Sequence, residues 1–279
     1  QNPDAAEARA REFGARAVGV DALLADPAVE IVLNLTIPAV HVAVSRQAVA
    51  AGKHVYSEKP LGVDFAEAAV LADEAAARGL RIGCAPDTFL GGAHQAAREF
   101  LDAGHLGDPV GGTAFFMCPG HERWHPNPDF YYKQGGGPML DMGPYYVTTL
   151  VNLLGPVVRV AGMSPRPRPI RTITSQPRAG ETIEVEVPTH ASGTLEFANG
   201  AVVALTVSFD VPGHRHLPLE VYGTEGSLVV PDPNWFGGEV EFLPKGGDWQ
   251  PVPVTRPWTE GNLRSLGLAD MAAAIRAGR

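Results

Sequence analysis

Apolar residues alternate between two patterns over the first 85 positions of the chain. Short unbroken apolar runs predict parallel strands buried on both faces at 30–37, 54–56 and 80–85. Between and before them, apolar residues at helical spacing predict helices at 5–13, 40–51 and 64–76. Strands alternating with helices of this length indicate part of a doubly wound, nucleotide-binding (Rossmann) sheet.

The pattern changes after Pro86, where short strands and turn signals replace the strand–helix alternation. Helices are predicted at 93–103 and 145–154, and strands at 109–118, 189–198, 201–209, 217–222 and 227–230. Turn sequences such as Asn199-Gly200 join neighbouring strands and predict hairpins. The expected fold is therefore a partial Rossmann domain at 1–87, followed at 88–279 by an α+β domain with a mostly antiparallel open sheet.

Composition excludes several classes of protein. The net charge is −9 and no run of Lys or Arg occurs, which argues against a nucleic-acid partner. No apolar stretch approaches the ~20 residues that a membrane span needs. The two cysteines, Cys84 and Cys118, show no Cys-x-x-Cys spacing and are expected to be reduced, as in a cytoplasmic protein.

Both ends of the sequence lead us to expect that this chain is a piece of a longer one. Gln1 opens without Met directly into a short helix, and residues 268–279 form a helical run with no following cap. The phosphate-binding fingerprint Gly-x-Gly-x-x-Gly is absent. Because that fingerprint belongs to the first strand–helix turn of a Rossmann sheet, its absence is expected if the chain begins after that turn.

Lys59 is the first candidate for chemistry. It follows the apolar strand 54–56 and precedes Pro60, so its ammonium lies at the strand ends where open α/β sheets bind ligands. Pro60 disfavours a helical backbone at Lys59 and stiffens the turn. A surface lysine in a strand-to-helix loop is the alternative, and Glu58 beside it is either a solvated ion pair or a group that holds the ammonium.

The run of three glycines at 135–137, followed by Asp141 and Tyr145, is the second unusual stretch. The glycines permit close backbone approach, and Asp141 falls just before a predicted helix. The carboxylate is therefore either a helix cap or, if Tyr145 one turn later points the same way, part of a cleft.

Two other motifs are rejected as sites. His121-Glu122-Arg123-Trp124-His125 matches the zinc-protease pattern, but that chemistry requires a helix, which prolines on both sides of the motif block, so we predict no metal. Asn34-Leu35-Thr36 is a formal glycosylation sequon, but it lies in a predicted buried strand.

Four motifs in this order resemble the Gfo/Idh/MocA oxidoreductases, the relatives of glucose-fructose oxidoreductase and inositol dehydrogenase. The motifs are Thr36-x-Pro38-x-x-His41, Glu58-Lys59-Pro60, Gly135-Gly136-Gly137 with Asp141, and the turn Gly223-Thr224-Glu225-Gly226. The resemblance implies an N-terminal domain that binds NAD or NADP. It also implies a C-terminal sheet domain that shapes a sugar or polyol pocket and forms a homo-oligomer interface.

The resemblance also implies roles for individual residues. Lys59, Asp141 and Tyr145 would be catalytic, with Lys59 reaching the substrate hydroxyl. The predicted cofactor-binding residues are Thr36, Pro38, His41, Glu58, Lys59 and Pro60. An aromatic loop before the glycines supplies the predicted substrate-binding residues Trp124, His125, Tyr132 and Tyr146, for each of which core packing is the alternative.

Tyr145 departs from the commonest family pattern, which has His at this position as the acid/base. A phenol can relay a proton if a cation such as Lys59 lies beside it, so Lys59, Tyr145 or both remain candidates for the base. The expected activity is an NAD(P)-dependent dehydrogenase or reductase acting on CH–OH groups. The alternatives are a non-catalytic dinucleotide-binding sensor or scaffold, an NAD-dependent glycosidase of this fold and, more remotely, a zinc hydrolase.

Overall fold

A three-stranded parallel sheet, with strands in the order β1-β2-β3, organises the first part of the chain. The structure is a computed structural model that describes residues 2–279. The elements of this part are α1 (Pro3–Phe13), α2 (Val20–Ala25), β1 (Ile31–Asn34), α3 (His41–Ala50), β2 (His54–Ser57), α4 (Phe65–Ala77) and β3 (Ile82–Cys84). Asp64 accepts a hydrogen bond from the Glu67 backbone N–H and so caps the N-terminus of α4.

Only one face of this sheet is packed on helices α3 and α4. Val55 and Leu71 are fully buried on that face, whereas Leu33 is 45% and Leu35 65% exposed. The prediction that the first strand is buried on both faces is therefore wrong for the described residues. Phe65, the first residue of α4, is 89% exposed.

An eight-stranded mixed sheet forms the second part, in the order β13-β12-β11-β10-β4-β9-β8-β5. Its neighbouring strands are antiparallel except for the parallel pair β4 and β9. The elements are α5 (Gly92–Asp102), β4 (Pro109–Met117), α6 (Pro138–Asp141), α7 (Gly143–Leu154), β5 (Val157–Met163), β6 (Ile170–Thr172), β7 (Thr182–Glu184), β8 (His190–Phe197), β9 (Val202–Ser208), β10 (Leu219–Gly223), β11 (Gly226–Val230), β12 (Glu241–Pro244), β13 (Gln250–Pro251) and α8 (Leu266–Arg276).

The sequence pattern located β4 and the four strands between 189 and 230 to within two residues at their ends. It did not identify β5, β12, β13 or the separate hairpin of β6 and β7. β5 has no alternation for a pattern to detect, because six of its seven residues are exposed.

Helices α5, α6 and α7 pack against one face of the large sheet, where they form the main core. Tyr146 and Leu150 of α7 are almost fully buried there, together with Val203 and Leu205 of β9. The opposite face carries the alternate strand residues, among which Ser192, Val202 and Ala204 are exposed.

Helix α8 returns from the second part of the chain to the first sheet. A Cβ on Gly83 of β3 would lie 2.9 Å from the Met271 sulfur, and one on Gly267 would meet the Tyr56 hydroxyl, so the backbones approach closely. The sequence boundary placed this segment in the second domain, and nothing local in it indicates the return. No helix within residues 2–279 combines the length and the apolar character needed to span a membrane.

Candidate active site

Lys59 and Asp141 form an ion pair between the two parts of the chain. Lys59 follows the end of β2, and its Nζ donates to Asp141 Oδ1 and to the Asp141 carbonyl oxygen, both at 2.6 Å. The two side chains are 14% and 15% exposed, so the pair is largely removed from water. Because an ammonium has three N–H donors, one donor of Lys59 remains for a ligand.

His121 holds the other oxygen of the Asp141 carboxylate. Its Nε2 lies 3.1 Å from Asp141 Oδ2, and its Nδ1 accepts a hydrogen bond from Trp124 Nε1 at 3.2 Å. These partners select the imidazole tautomer that donates from Nε2. Burial alone would raise the pKa of Asp141, but the His121 hydrogen bond and the Lys59 charge outweigh it and lower that pKa below its ordinary value.

A buried ionic network supports His121 from behind. The Tyr132 hydroxyl accepts from the His121 backbone N–H at 3.1 Å and donates to Glu122. Glu122 pairs with the Arg171 guanidinium at 2.8 Å, and Arg171 also reaches Asp210. Glu122 of the His-Glu-x-x-His segment thus belongs to a buried ion-pair network. Within residues 2–279, no group of three His, Cys, Asp or Glu side chains is arranged to hold a metal ion.

A cleft of about 270 Å³ opens beside the Lys59–Asp141 pair, and we call it the interdomain cleft. It is lined by Thr36, Ile37, Pro38, His41, Glu58, Lys59, Pro60, Phe130, Tyr131, Gly135, Gly136, Leu140 and Asp141. All six residues predicted to bind the cofactor are among them. Whether they contact a nicotinamide stays a prediction.

Buried polar groups of β1 and α3 hold the rim of this cleft. The Asn34 side chain donates to the His41 carbonyl at 3.0 Å and accepts from the Thr36 hydroxyl at 2.7 Å. The His41 ring nitrogens lie 2.6 Å from the Pro60 carbonyl oxygen and 2.7 Å from that of Thr36. His41 is 1% exposed and therefore ties the two rim loops together.

A second cavity of about 210 Å³ lies at the carboxyl ends of the parallel strands, and we call it the strand-end cavity. Leu33, Leu35, Tyr145 and Arg264 are among its lining residues, and Glu58 lines both this cavity and the interdomain cleft. The Tyr145 ring centroid lies 5.4 Å from Lys59 Nζ and 5.9 Å from the Arg264 guanidinium carbon. Tyr145 thus lies beside Lys59 but lines the strand-end cavity rather than the interdomain cleft.

The structure corrects two of the four predicted substrate-binding residues. Tyr132 and Tyr146 are 0% and 1% exposed, and their hydroxyls bond to Glu122 and Asp232. They pack in the core, where the Tyr132 hydroxyl donates to the buried Glu122 and the Tyr146 hydroxyl to the partly buried Asp232. Trp124 is 58% exposed and reaches the site only through His121.

The ring of His125, the fourth predicted substrate-binding residue, makes a local polar contact, whereas its backbone carbonyl accepts from the Ser175 hydroxyl at 2.6 Å. Its Nδ1 accepts from the Asn127 backbone N–H, and its ring packs against Phe130 and Tyr131. It lines neither of the two cavities.

Sequence reasoning missed His121, Phe130 and Tyr131. His121 was considered only as a metal ligand, although its place in a Pro- and Gly-flanked loop before the glycine run is a usable signal. Phe130 and Tyr131 occupy the same aromatic loop as the predicted Tyr132, and the choice among them depends on the direction of each side chain. That direction is set by the turn at Pro128–Tyr131.

Comparisons with known proteins agree with this architecture. Residues 1–85 match the family model "Oxidoreductase family, NAD-binding Rossmann fold", and residues 94–229 match the "GFO/IDH/MocA C-terminal domain". The solved levoglucosan dehydrogenase in complex with NADH and levoglucosan superimposes with a TM-score of 0.83 over 99% of this chain and 79% of its own, at 20% identity. That likeness shows the fold alone.

Two curated relatives extend the comparison. The chain is 35% identical, over 82% of its length, to a dTDP-3,4-didehydro-2,6-dideoxy-alpha-D-glucose 3-reductase of Streptomyces violaceoruber, and spans 63% of that protein. It is 29% identical, over 97% of its length, to a trans-1,2-dihydrobenzene-1,2-diol dehydrogenase of Macaca fuscata fuscata, and spans 78% of that protein. Together with the two domain matches, these relatives confirm the resemblance seen in the motifs: the chain belongs to the Gfo/Idh/MocA family of oxidoreductases.

Proposed function

We propose that this protein is an NAD(P)-dependent oxidoreductase that moves hydride between a CH–OH group and nicotinamide. The substrate class is a sugar, a polyol such as inositol, or a related hydroxy compound. The observation that carries the proposal is the Lys59–Asp141 pair, which joins the two parts of the chain beside a cleft. The names of the relatives, a sugar reductase and a cyclic diol dehydrogenase, support the same class of reaction.

The residues present suit a dinucleotide at the strand ends. Leu35 and Ile37 expose 65% and 60% of their surface after β1 and offer an apolar platform for a planar ring. Glu58 uses only Oε2 for the Lys59 backbone N–H, so its other oxygen is free to accept from ribose hydroxyls. When bound, the nicotinamide ring supplies the hydride acceptor or donor.

Lys59 is the proposed proton carrier for the substrate oxygen. Its Nζ is held by two acceptors of Asp141, so the remaining N–H is pre-oriented. In the reducing direction this N–H donates to the carbonyl oxygen as it becomes a hydroxyl; in the oxidising direction the amine accepts the hydroxyl proton. Tyr145 beside Lys59 is the second candidate for this proton transfer, and Asp141 orients the ammonium.

Replacing Lys59 with Met tests the proposal. Lys59→Met keeps the length of the side chain but removes the charge and the proton, so turnover in the full natural chain should fall at least about a hundredfold. The assay is nicotinamide absorbance with a panel of sugars, polyols and cyclic diols. Lys133→Met is the matched control, because Lys133 forms a comparable 2.6 Å ion pair with Glu186 outside both cavities.

The assay also separates the remaining functions. Near-normal turnover of Lys59→Met would reject its assignment as proton carrier. Binding of the dinucleotide with no turnover of any compound would indicate a sensor or scaffold. Glycoside cleavage without net reduction of the cofactor would indicate a glycosidase of this fold.

We also infer a cytoplasmic location and a homo-oligomer formed through the large sheet. The location is supported by Cys84 and Cys118, which are both free thiols, as a reducing compartment favours. The oligomer is supported by the face of the eight-stranded sheet that carries Ser192, Val202 and Ala204, on which no helix packs among the described residues.

A further inference from the structure

The second part of the chain contributes an apolar wall to the interdomain cleft. Phe130, Tyr131 and Leu140 form this wall, and Phe130 is 41% exposed. The Phe130 and Tyr131 rings lie 4.0 Å apart at 33° and present one continuous surface. Gly136 completes the wall without a side chain, since a Cβ there would lie 2.3 Å from the Phe130 carbonyl oxygen.

Most polar atoms around the cleft are already used by the protein itself. Both ring nitrogens of His41 face carbonyl oxygens, and the Thr36 hydroxyl donates to Asn34. The Asp141 oxygens are held by Lys59 and His121. These groups shape the cleft, but they offer few free donors or acceptors to a ligand.

Three polar side-chain groups stay available among the described residues that line the cleft. They are the third N–H of Lys59, the second carboxylate oxygen of Glu58, and the Tyr131 hydroxyl, for which no hydrogen bond is found within residues 2–279. The Tyr131 ring lies beside this pair, because its centroid is 4.5 Å from that of His121, whose Nε2 bonds to the Asp141 carboxylate. The free polar groups therefore gather at one edge of the cleft, around the Lys59–Asp141 pair.

A ring with hydroxyls on every carbon would bury several of them without partners in this cleft. Each unpaired polar group carries a desolvation cost, whereas apolar ring carbons gain from contact with Phe130 and Leu140. We propose that the substrate is a cyclic vicinal diol, or the matching hydroxyketone, whose remaining ring carbons lack oxygen. This inference rests on the proposed function and defines its substrate class.

The reaction on such a substrate is balanced by the proposed activity. One carbinol C–H bond breaks and its hydride passes to nicotinamide, while the C=O double bond forms. The O–H proton passes to Lys59 in its neutral amine form, reached when the ammonium has released one proton to water, and this transfer restores the ammonium. The neighbouring hydroxyl stays intact and is left to bond with the Tyr131 hydroxyl. The product is an α-hydroxyketone.

Two compounds with the same six-membered ring test the inference. trans-Cyclohexane-1,2-diol carries two adjacent hydroxyls and myo-inositol carries one on every carbon. With the full natural chain and either NAD⁺ or NADP⁺, kcat/KM for cyclohexanediol should exceed that for inositol at least about tenfold. Calorimetric titration of both compounds without cofactor gives a second readout, in which cyclohexanediol should bind at least about tenfold more tightly.

The possible outcomes distinguish this inference from the proposed function. Equal values, or a preference for inositol in either readout, overturn the apolar-ring inference while leaving the oxidoreductase proposal in place. If no sugar, polyol or cyclic diol of the panel reduces nicotinamide, the proposed function is contradicted. The calorimetric comparison then decides the inference alone. Binding of neither compound in calorimetry, without turnover, overturns both.

A pair of matched substitutions identifies the wall responsible. Phe130→Asn places an amide on the apolar wall and should lower the cyclohexanediol-to-inositol ratio about tenfold. Phe65→Asn makes the same change at a phenylalanine that is 89% exposed on α4, outside the cleft, and should leave the ratio unchanged. An unchanged ratio in a folded Phe130→Asn protein would show that the wall does not select the ring.

Discussion

At the scale of single residues, the site depends on a carboxylate whose two oxygens have different partners. Asp141 receives Lys59 on Oδ1 and His121 on Oδ2, and Trp124 sets the tautomer of His121. Each of these hydrogen bonds restricts the rotation of the next side chain, from Trp124 to His121 to Asp141 to Lys59. Lys59 is therefore oriented by groups that come from the segment between β4 and α7.

Asp141 links this geometry to stability. Because the pKa of Asp141 is lowered in the folded protein, its contribution is complete above the unfolded pKa, about 3.8, and is lost as pH falls through the folded value. Asp141→Asn leaves the Lys59 ammonium without its counter-charge and should cost about 1–3 kcal/mol of unfolding free energy at neutral pH. Chemical denaturation of both proteins at several pH values measures this difference.

The difference between the two proteins should shrink below about pH 3.8, where the native carboxyl takes up its proton. Asp102→Asn is the matched control, since Asp102 also accepts from a cation, Arg98, but on an exposed helix surface. A pH-independent difference for Asp141→Asn would contradict the assigned charge state.

At the scale of elements, helix α8 connects the second part of the chain to the first. Asp87, just after β3, accepts from the backbone N–H groups of Ser265 and Gly267 at 3.0 and 2.9 Å, and so holds the first turn of α8. Gly267 also lies against Tyr56, where no Cβ fits. Arg264 immediately precedes this turn and lines the strand-end cavity beside Tyr145, where its guanidinium also donates to Asn234.

Asp87→Ala should release the start of α8. Loss of a cap costs about 1 kcal/mol, and at this position it also loosens the contact between α8 and β3. Hydrogen exchange of the α8 amides should speed up several-fold, and turnover should fall because Arg264 and Tyr145 lose their fixed positions.

Asp64→Ala removes a comparable cap from α4, a helix that does not line the strand-end cavity where Arg264 lies. It should cost a similar free energy but leave α8 exchange and turnover unchanged. If Asp87→Ala behaves in the same way as this control, the contact between α8 and the first sheet has no role in the site.

At the scale of the whole molecule, the large sheet is covered on one face only. Ser192 and Thr206 pair through their hydroxyls on the open face, opposite the helices, and Phe115 on β4 lies next to Thr206. A face of small and uncharged side chains at the centre of a sheet suits a second copy of the same surface.

Thr206→Arg tests the proposed oligomer. Placing a charge at the centre of the open face should convert the oligomer to a monomer, as measured by light scattering after gel filtration. Thr182→Arg makes the same change on the exposed hairpin strand β7 and should leave the mass unchanged. A monomeric wild-type protein would refute the homo-oligomer directly.

Sequence patterns alone predicted the strand–helix alternation up to β3, most of the strands up to residue 230, and one half of the candidate site. Apolar spacing located most helices and strands, and Lys59 and Asp141 could be chosen from the residues around them. The sequence could not tell Tyr131 from Tyr132, because neighbouring side chains in an irregular loop have no periodicity. It also misjudged β1, since an apolar run does not reveal that Leu33 and Leu35 are exposed.

The sequence by itself determined the fold class, the family and the candidate positions for the chemistry, because these depend on local spacing, turns and motifs. Tertiary structure alone decided which groups meet: Lys59 with Asp141 across 82 positions, His121 behind them, and α8 against β3. Such contacts follow from how distant elements pack, and short-range patterns carry no record of that packing.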